Sequence, residues 1–390
     1  MAEQNLYDLS PVLQLMLMGL AIAVGPVAWI WARSTRQPAG GLLRLLTLFT
    51  LFLTFDLVVF GAFTRLTDSG LGCPDWPGCY GSASPMGAQV HIDAAQAAMP
   101  SGPVTHPKAW IEMIHRYLAT GVGVLILTAT FLTIRARQVD RSQIRQQTIS
   151  SWWPVATLVW VCLQGAFGAL TVTMKLFPAI VTMHLLGGLV LLALLRVQSA
   201  RYALIHDLQK PQAITSSNRN LLWAGFAMLW VQILLGGWVS TNYAVLACTE
   251  FPLCQNSWWP AMDFRQGFTI WRALGMGGDG GYLSFQSLTA IHYVHRLAAY
   301  AVFAVLLILS LRLRVVSALR GQANWLLGLI LLQAITGLSN VVLGWPLVAA
   351  VAHTGGAAAL MIVLTGLICF SCTVRIPATK PQLAVANSTA

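Results

Sequence analysis

The chain has 390 residues, of which 57% are hydrophobic and only 9% charged, with a net charge of +11. That balance excludes an ordinary soluble domain and places the chain among polytopic membrane proteins, whose solvent is the bilayer. The positive charge would suit nucleic acid, but the basic residues are divided by side of the membrane rather than gathered in one patch, so no nucleic-acid partner is expected.

Apolar segments of about 20 residues, long enough to cross a ~30 Å hydrocarbon core, fall near 11–31, 42–63, 109–131, 152–174, 179–199, 220–240, 286–311, 323–344 and 347–372. The expected fold is all-α and polytopic, with about nine helices. The first segment follows Glu3 and Asp8 and precedes Arg33 and Arg36, so it reads as a retained anchor rather than a cleaved signal peptide. Arg44, Arg135, Arg137, Arg141, Arg145, Arg196, Arg201, Lys210, Arg219, Arg312, Arg314, Arg320, Arg375 and Lys380 join those two arginines in alternate loops or the tail. By the positive-inside rule these are cytoplasmic. The remaining loops hold few cations, chiefly Arg65, Lys108, Lys175, Arg265 and Arg272, so the amino terminus and the long loops 64–108 and 241–285 face the periplasm of a bacterial inner membrane.

Four histidines, His115, His184, His295 and His353, lie in the outer part of four helices. An ionisable residue inside a membrane is costly unless satisfied and marks function by default. The second half of the chain repeats the first: Gly61 aligns with Gly236, Cys73 and Cys79 with Cys248 and Cys254, His115-Arg116 with His295-Arg296, Gln164 with Gln333, Gly168 with Gly337 and His184 with His353. Two four-helix units in the same orientation follow the extra first helix. The predicted divisions are 1–41 for that helix and its linker, 42–199 and 220–372 for the two units, 200–219 for a cytoplasmic linker and 373–390 for a tail. Each unit contributes one His from its second helix and one from its fourth, and paired imidazoles across a bundle suit haem iron. Each His could instead hydrogen-bond a neighbouring helix, a reading that matched repeat positions weaken.

His91, His106 and His206 are expected in solvated loops. Glu112 precedes His115 by about one turn, three residues, and His292 precedes His295 by the same spacing, so each shares a helix face with its neighbour. A carboxylate thus stands in one half where the other has an imidazole. Glu112 can exchange protons beside a haem edge or pair with Arg116 one turn later, and both can hold. Cys73 with Cys79 and Cys248 with Cys254 suggest two outside disulfides, either stapling the loops or acting in redox. A thiolate zinc site lacks the usual spacing. Cys162, Cys369 and Cys372 are expected in helices as packing residues.

GAFTRLTDSGLGCPDWPGCYG, EMIHR, VTMHLLGG, VHR and VAHTGG together resemble the haem A synthase family over roughly residues 42–372, most distinctively at TDSGLGCPDWPGC. The resemblance implies a membrane-bound haem-dependent oxidoreductase that oxidises the C8 methyl of haem O to the formyl group of haem A for cytochrome oxidase. It implies His115 and His184 as ligands of the substrate haem O, His295 and His353 as ligands of a resident haem b, and Glu112 as the functional acid. No separate metal is implied; haem O synthase and an electron donor are the implied partners, and an oligomer is allowed. Arg65, Arg116 and Arg296 are candidates for contacts to propionates, with helix capping the alternative for the first two. An apolar haem needs a lateral route from lipid, with Gly165, Gly168, Gly187, Gly188, Gly337, Gly355 and Gly356 giving room for it or packing helices. A dihaem b-type electron carrier or quinol oxidoreductase is the main rival, against which Glu112 argues. A transporter would leave the histidines unexplained.

Overall fold

The computed structural model describes residues 10–34, 39–139, 148–278 and 280–373. Glu3, Asp8, Arg36, Arg141, Arg145, Arg375 and Lys380, which enter the orientation above, lie outside the described residues. The helices are α1 (Ser10–Ser34), α2 (Ala39–Leu66), α3 (Gln89–Ala98), α4 (His106–Val139), α5 (Trp152–Thr173), α6 (Pro178–Ile205), α7 (Ser216–Thr241), α8 (Phe264–Gly267), α9 (Phe285–Arg314), α10 (Arg320–Val342) and α11 (Leu347–Phe370). Among the described residues, eight helices are long and apolar enough to cross a membrane: α2, α4, α5, α6, α7, α9, α10 and α11. This is an all-α multi-pass membrane protein. The amino-terminal helix α1 packs against α4 and α2.

In the first unit α2 packs on α4 and α6, and α5 bridges α4 and α6. The second unit repeats this with α7 on α9 and α10 between α9 and α11. The units meet where α2 touches α11, α6 touches α7, and α6 touches α11. Because successive spans alternate in direction, loops 67–105 and 242–284 and the turns 174–177 and 343–346 share one end of the bundle. The four histidines, all within the first three turns of α4, α6, α9 and α11, lie towards that end.

The helix starts follow local chemistry. Thr215 caps α7 by accepting from the Asn218 amide at 3.3 Å, and Ser284 caps α9 by accepting from the Ser287 amide at 3.2 Å; each satisfies one orphan donor. α6 opens on Pro178 and α11 follows Pro346, where the missing N–H is no loss. The turns before them also repeat in backbone shape: Lys175 and Leu176 have φ of 51° and 58°, Gly344 and Trp345 68° and 67°. Left-handed residues end a helix and let the next one start antiparallel beside it.

The bundle is apolar outside as well as inside, with Phe131, Val231, Trp325 and Ile335 exposed. Lipid offers no hydrophobic drive for association, so polar contacts and small residues fix the packing. Trp160 donates to the Gly187 carbonyl at 2.8 Å, Gln198 to Thr157 at 2.6 Å, and Ser310 to the Ala323 carbonyl at 2.8 Å. The Thr182 and Thr241 hydroxyls meet at 3.1 Å across the two units. At the opposite end from the long loops, β1 (Gln212–Ile214) pairs in parallel with β2 (Ser371–Thr373), joining the linker between units to the end of α11.

Several smaller expectations need correction. Cys372 lies on β2 rather than in a helix, because the chain leaves α11 at Phe370 and pairs with the linker. Cys162 is exposed on α5 rather than packed inside. His91 sits in α3, and His106 opens α4, where its Nε2 is 2.6 Å from Asp93. His206 closes α6 with its ring stacked on Tyr202 and its Nε2 buried, not solvated.

The first long loop rests directly on the start of α4. A Cβ at Gly72 would come within 2.4 Å of the Lys108 backbone, which cannot yield as a side-chain tip can. Gly72→Ala is therefore expected to destabilise by about 1–3 kcal/mol, read as a lower thermal midpoint of the detergent-solubilised protein.

Candidate functional site

All four histidines of the repeat line a single cavity of about 1640 Å³. This exceeds the roughly 300–1,000 Å³ of an ordinary small-molecule pocket and spans both units. His115 and His184 are close enough to interact electrostatically, as are His295 and His353, so the imidazoles form one pair in each unit.

Each imidazole lies against a glycine of an adjacent helix. An added Cβ at Gly61 would be 3.0 Å from Nε2 of His115, and one at Gly236 2.9 Å from Cε1 of His295. The same construction puts Gly168 3.4 Å from Cε1 of His184 and Gly337 3.2 Å from Cε1 of His353. These repeated glycines thus make room for the rings themselves. Gly187 and Gly356 instead receive the amide ends of Gln164 and Gln333.

Glu112 lines the cavity on the side of the first pair, and His292 takes the corresponding place in the second. One Glu112 oxygen accepts from the Cys73 amide at 2.8 Å, and the other is hydrogen-bonded to Arg116. Both readings of Glu112 meet here, since the carboxylate is ion-paired and also faces the cavity. The His292 Nδ1 donates to the Ala244 carbonyl at 3.1 Å.

The arginine after each helix-α4 or helix-α9 histidine holds the cysteine loop of its own unit. Arg116 Nη1 donates to the carbonyls of Asp75, Pro77 and Gly78 at 3.0, 3.1 and 2.6 Å. Arg296 Nη1 donates to those of Glu250 and Leu253 at 3.0 and 2.9 Å, and its Nη2 reaches Cys248 at 3.3 Å. Inside the loops Asp75 accepts from the amides of Tyr80 and Gly81 at 2.6 and 2.7 Å, and Glu250 accepts from the Asn256 amide at 2.9 Å. Disulfides Cys73–Cys79 and Cys248–Cys254 close them. Both guanidinium groups also border the cavity, but much of their donor capacity goes to loop carbonyls.

Arg65 joins the two units instead of capping its helix. It donates to the Ser240 carbonyl at 2.6 Å and to Asp68 at 3.2 Å, and its guanidinium lies 4.1 Å from the centre of the Tyr243 ring. Burial raises the Tyr243 phenol above its ordinary value, keeping it a donor to Asp68 at 2.6 Å.

Two polar neighbours of the rings escaped the sequence reading. Gln232 on α7 places its Nε2 3.0 Å from Nδ1 of His295 and 3.1 Å from the His295 carbonyl. Thr336 on α10 places its hydroxyl 2.9 Å from Nδ1 of His353. Both are polar residues in apolar helices whose repeat counterparts, Leu57 and Phe167, are apolar; that mismatch was the available signal.

Residues 44–365 match the COX15-CtaA family of cytochrome oxidase assembly proteins. A relative named as the haem A synthase of Shewanella oneidensis is 38% identical over 83% of this chain and 93% of its own length. The chain belongs to the haem A synthase family. The Caulobacter vibrioides haem A synthase is 26% identical over 80% of the chain and 91% of that protein. The Bacillus pumilus haem A synthase gives a shorter match, 25% identical over 55% of the chain and 64% of that protein. The family match begins after α1.

The residues present fit the flat iron macrocycle that a haem A synthase implies. The imidazoles line a wide apolar cavity as one pair in each unit, glycines leave no Cβ behind any of the four rings, and Nδ1 of His184 is a buried polar atom without a partner among the described residues. Thiol labelling should modify Cys73, Cys79, Cys248 and Cys254 only after reduction. Free reaction of all four in the untreated protein would contradict both disulfides.

Proposed function

We propose that this chain is a haem A synthase, a membrane-bound haem-dependent oxidoreductase that converts the C8 methyl of haem O to the formyl group of haem A for cytochrome oxidase assembly. The observation that carries this reading is one cavity with two histidine pairs and a carboxylate, Glu112, beside only one of them. A dihaem b-type electron carrier would account for the pairs and leave Glu112 without a task.

In this reading His115 and His184 hold the substrate haem O, and His295 and His353 hold a resident haem b. When bound, that haem b supplies an electron relay. Glu112, with its carboxylate at the cavity wall, is placed to hold or move a proton beside the substrate methyl group. Arg116 holds Glu112 by an ion pair and the first cysteine loop by three carbonyl contacts, so the acid and the loop move as one piece. Arg65, at the junction of the units, is the propionate contact best placed to meet a macrocycle from either side. Gly61, Gly168, Gly236 and Gly337 orient the rings by close contact.

The charge distribution supports a bacterial inner-membrane placement with the amino terminus, cysteine loops and open end of the site periplasmic and the carboxyl terminus cytoplasmic. The partners in this reading are haem O synthase, which supplies the substrate, an electron donor, and the surrounding lipid through which the apolar substrate arrives.

Haem extracted from cells with and without this chain and resolved by mass into haem B, O and A tests the activity. Haem A should appear only with the chain; its absence in an otherwise competent host would overturn the reading. Glu112→Gln is expected to preserve haem binding while lowering haem A yield by about 10²- to 10⁴-fold, with haem O accumulating. Normal haem A output would remove Glu112 from the chemistry. His295→Ala and His353→Ala should each abolish the low-spin haem b spectrum of the purified protein.

A further inference from the structure

The two units differ in what stands behind the histidine of their last helix. Thr336 donates its hydroxyl proton to the Leu332 carbonyl at 2.7 Å, so the oxygen 2.9 Å from His353 is free to accept. With Nε2 as the ligating nitrogen, Nδ1 carries the ring proton and donates it to this oxygen, which fixes the His353 tautomer. A hydrogen bond behind a metal-ligating imidazole sets ring orientation and raises ligand basicity. In the first unit the residue before the contact glycine is Phe167, where the second has Thr336 before Gly337. Phenylalanine accepts no such proton, and Nδ1 of His184 is buried with no hydrogen-bond partner among the described residues. The ring of His184 is therefore located by packing alone.

We propose that Thr336 is a positioning residue that makes His353 a lasting ligand, and that Phe167, by withholding the same hydrogen bond, makes His184 the ligand that releases its macrocycle. This rests on the assignment of the two histidine pairs to substrate and resident haem. A synthase must let its product go while keeping its electron relay. Binding strength that differs between the two frames meets both requirements, and behind the last-helix histidine one hydroxyl provides the difference, beside the separate contact of Gln232 to His295 in the same unit.

The test uses the full-length protein purified in detergent, with transfer of bound haem to excess apomyoglobin followed by absorbance. Thr336→Val reproduces the surroundings of His184 and is expected to speed loss of haem b by about 10- to 100-fold, the usual scale for losing a hydrogen bond behind a ligand. Thr336→Ser should retain the parental rate. Phe167→Thr should have the opposite effect in the first unit, with haem O retained through purification and its release slowed by a similar factor. Parental rates in both Thr336→Val and Phe167→Thr would overturn the proposal even if His353→Ala loses haem b, because the ligand assignment would then stand without it. Unchanged haem b in His353→Ala would overturn the underlying assignment and the proposal together. If Thr336→Val fails to insert, Phe167→Thr decides alone: release as fast as in the parent overturns the proposal.

Discussion

Four imidazoles in a low-dielectric bundle impose the constraint on which the rest of the molecule depends. A buried ring nitrogen is costly without a partner, and a ring needs space that two packed helices ordinarily fill with side chains. This chain meets the second requirement by placing a glycine against each ring, and the helix pairs α2–α4, α5–α6, α7–α9 and α10–α11 are set by those contacts. The helix spacing is therefore fixed at the depth of the histidines, leaving a continuous cavity between the units. The apolar exterior contributes little to this choice, since lipid solvates leucine as well as a neighbouring helix does.

Above the rings, each cysteine-closed turn is held by the arginine of its own unit, while Tyr243 to Asp68 and Arg65 to Ser240 tie the two units together beside them. Arg116 and Arg296 converge on corresponding carbonyls, and Asp75 and Glu250 fold the loop backbones from inside. Both arginines directly follow a cavity histidine. Any displacement of the loop is thus transmitted to the turn that carries the ring, and in the first unit also to Glu112. The units share this mechanical linkage and differ in chemistry at a few positions, Glu112 against His292, Leu57 against Gln232 and Phe167 against Thr336.

The spans, the repeat and the histidine pairs were legible because they depend on period, length and residue type alone. The internal duplication was most useful, as it converted four isolated histidines into two related pairs. What was not legible depends on where backbone carbonyls point. Arg116 and Arg296 read as candidates for propionate contacts, whereas the folded cysteine loops aim several carbonyls at each guanidinium. Arg65 read as a cap or an anion contact because its partners, Ser240 and Tyr243, lie in the other unit. Thr336 passed unnoticed because threonines in these helices commonly satisfy their hydroxyls on the preceding turn, as Thr47, Thr50 and Thr54 do; its second contact becomes visible only when α11 is beside it.

The short parallel pairing of β1 with β2 bears on the order in which the bundle is completed. Its two strands come from the linker after the first unit and from the segment that follows the last helix. No part of that ladder can form until α11 has been synthesised and inserted. Until then the faces of α2, α6 and α7 that receive α11 lack that helix, and apolar side chains on them suit lipid as well as protein. Pairing of β1 with β2 thus follows insertion of α11 and ties the two units together at the membrane end farthest from the histidines.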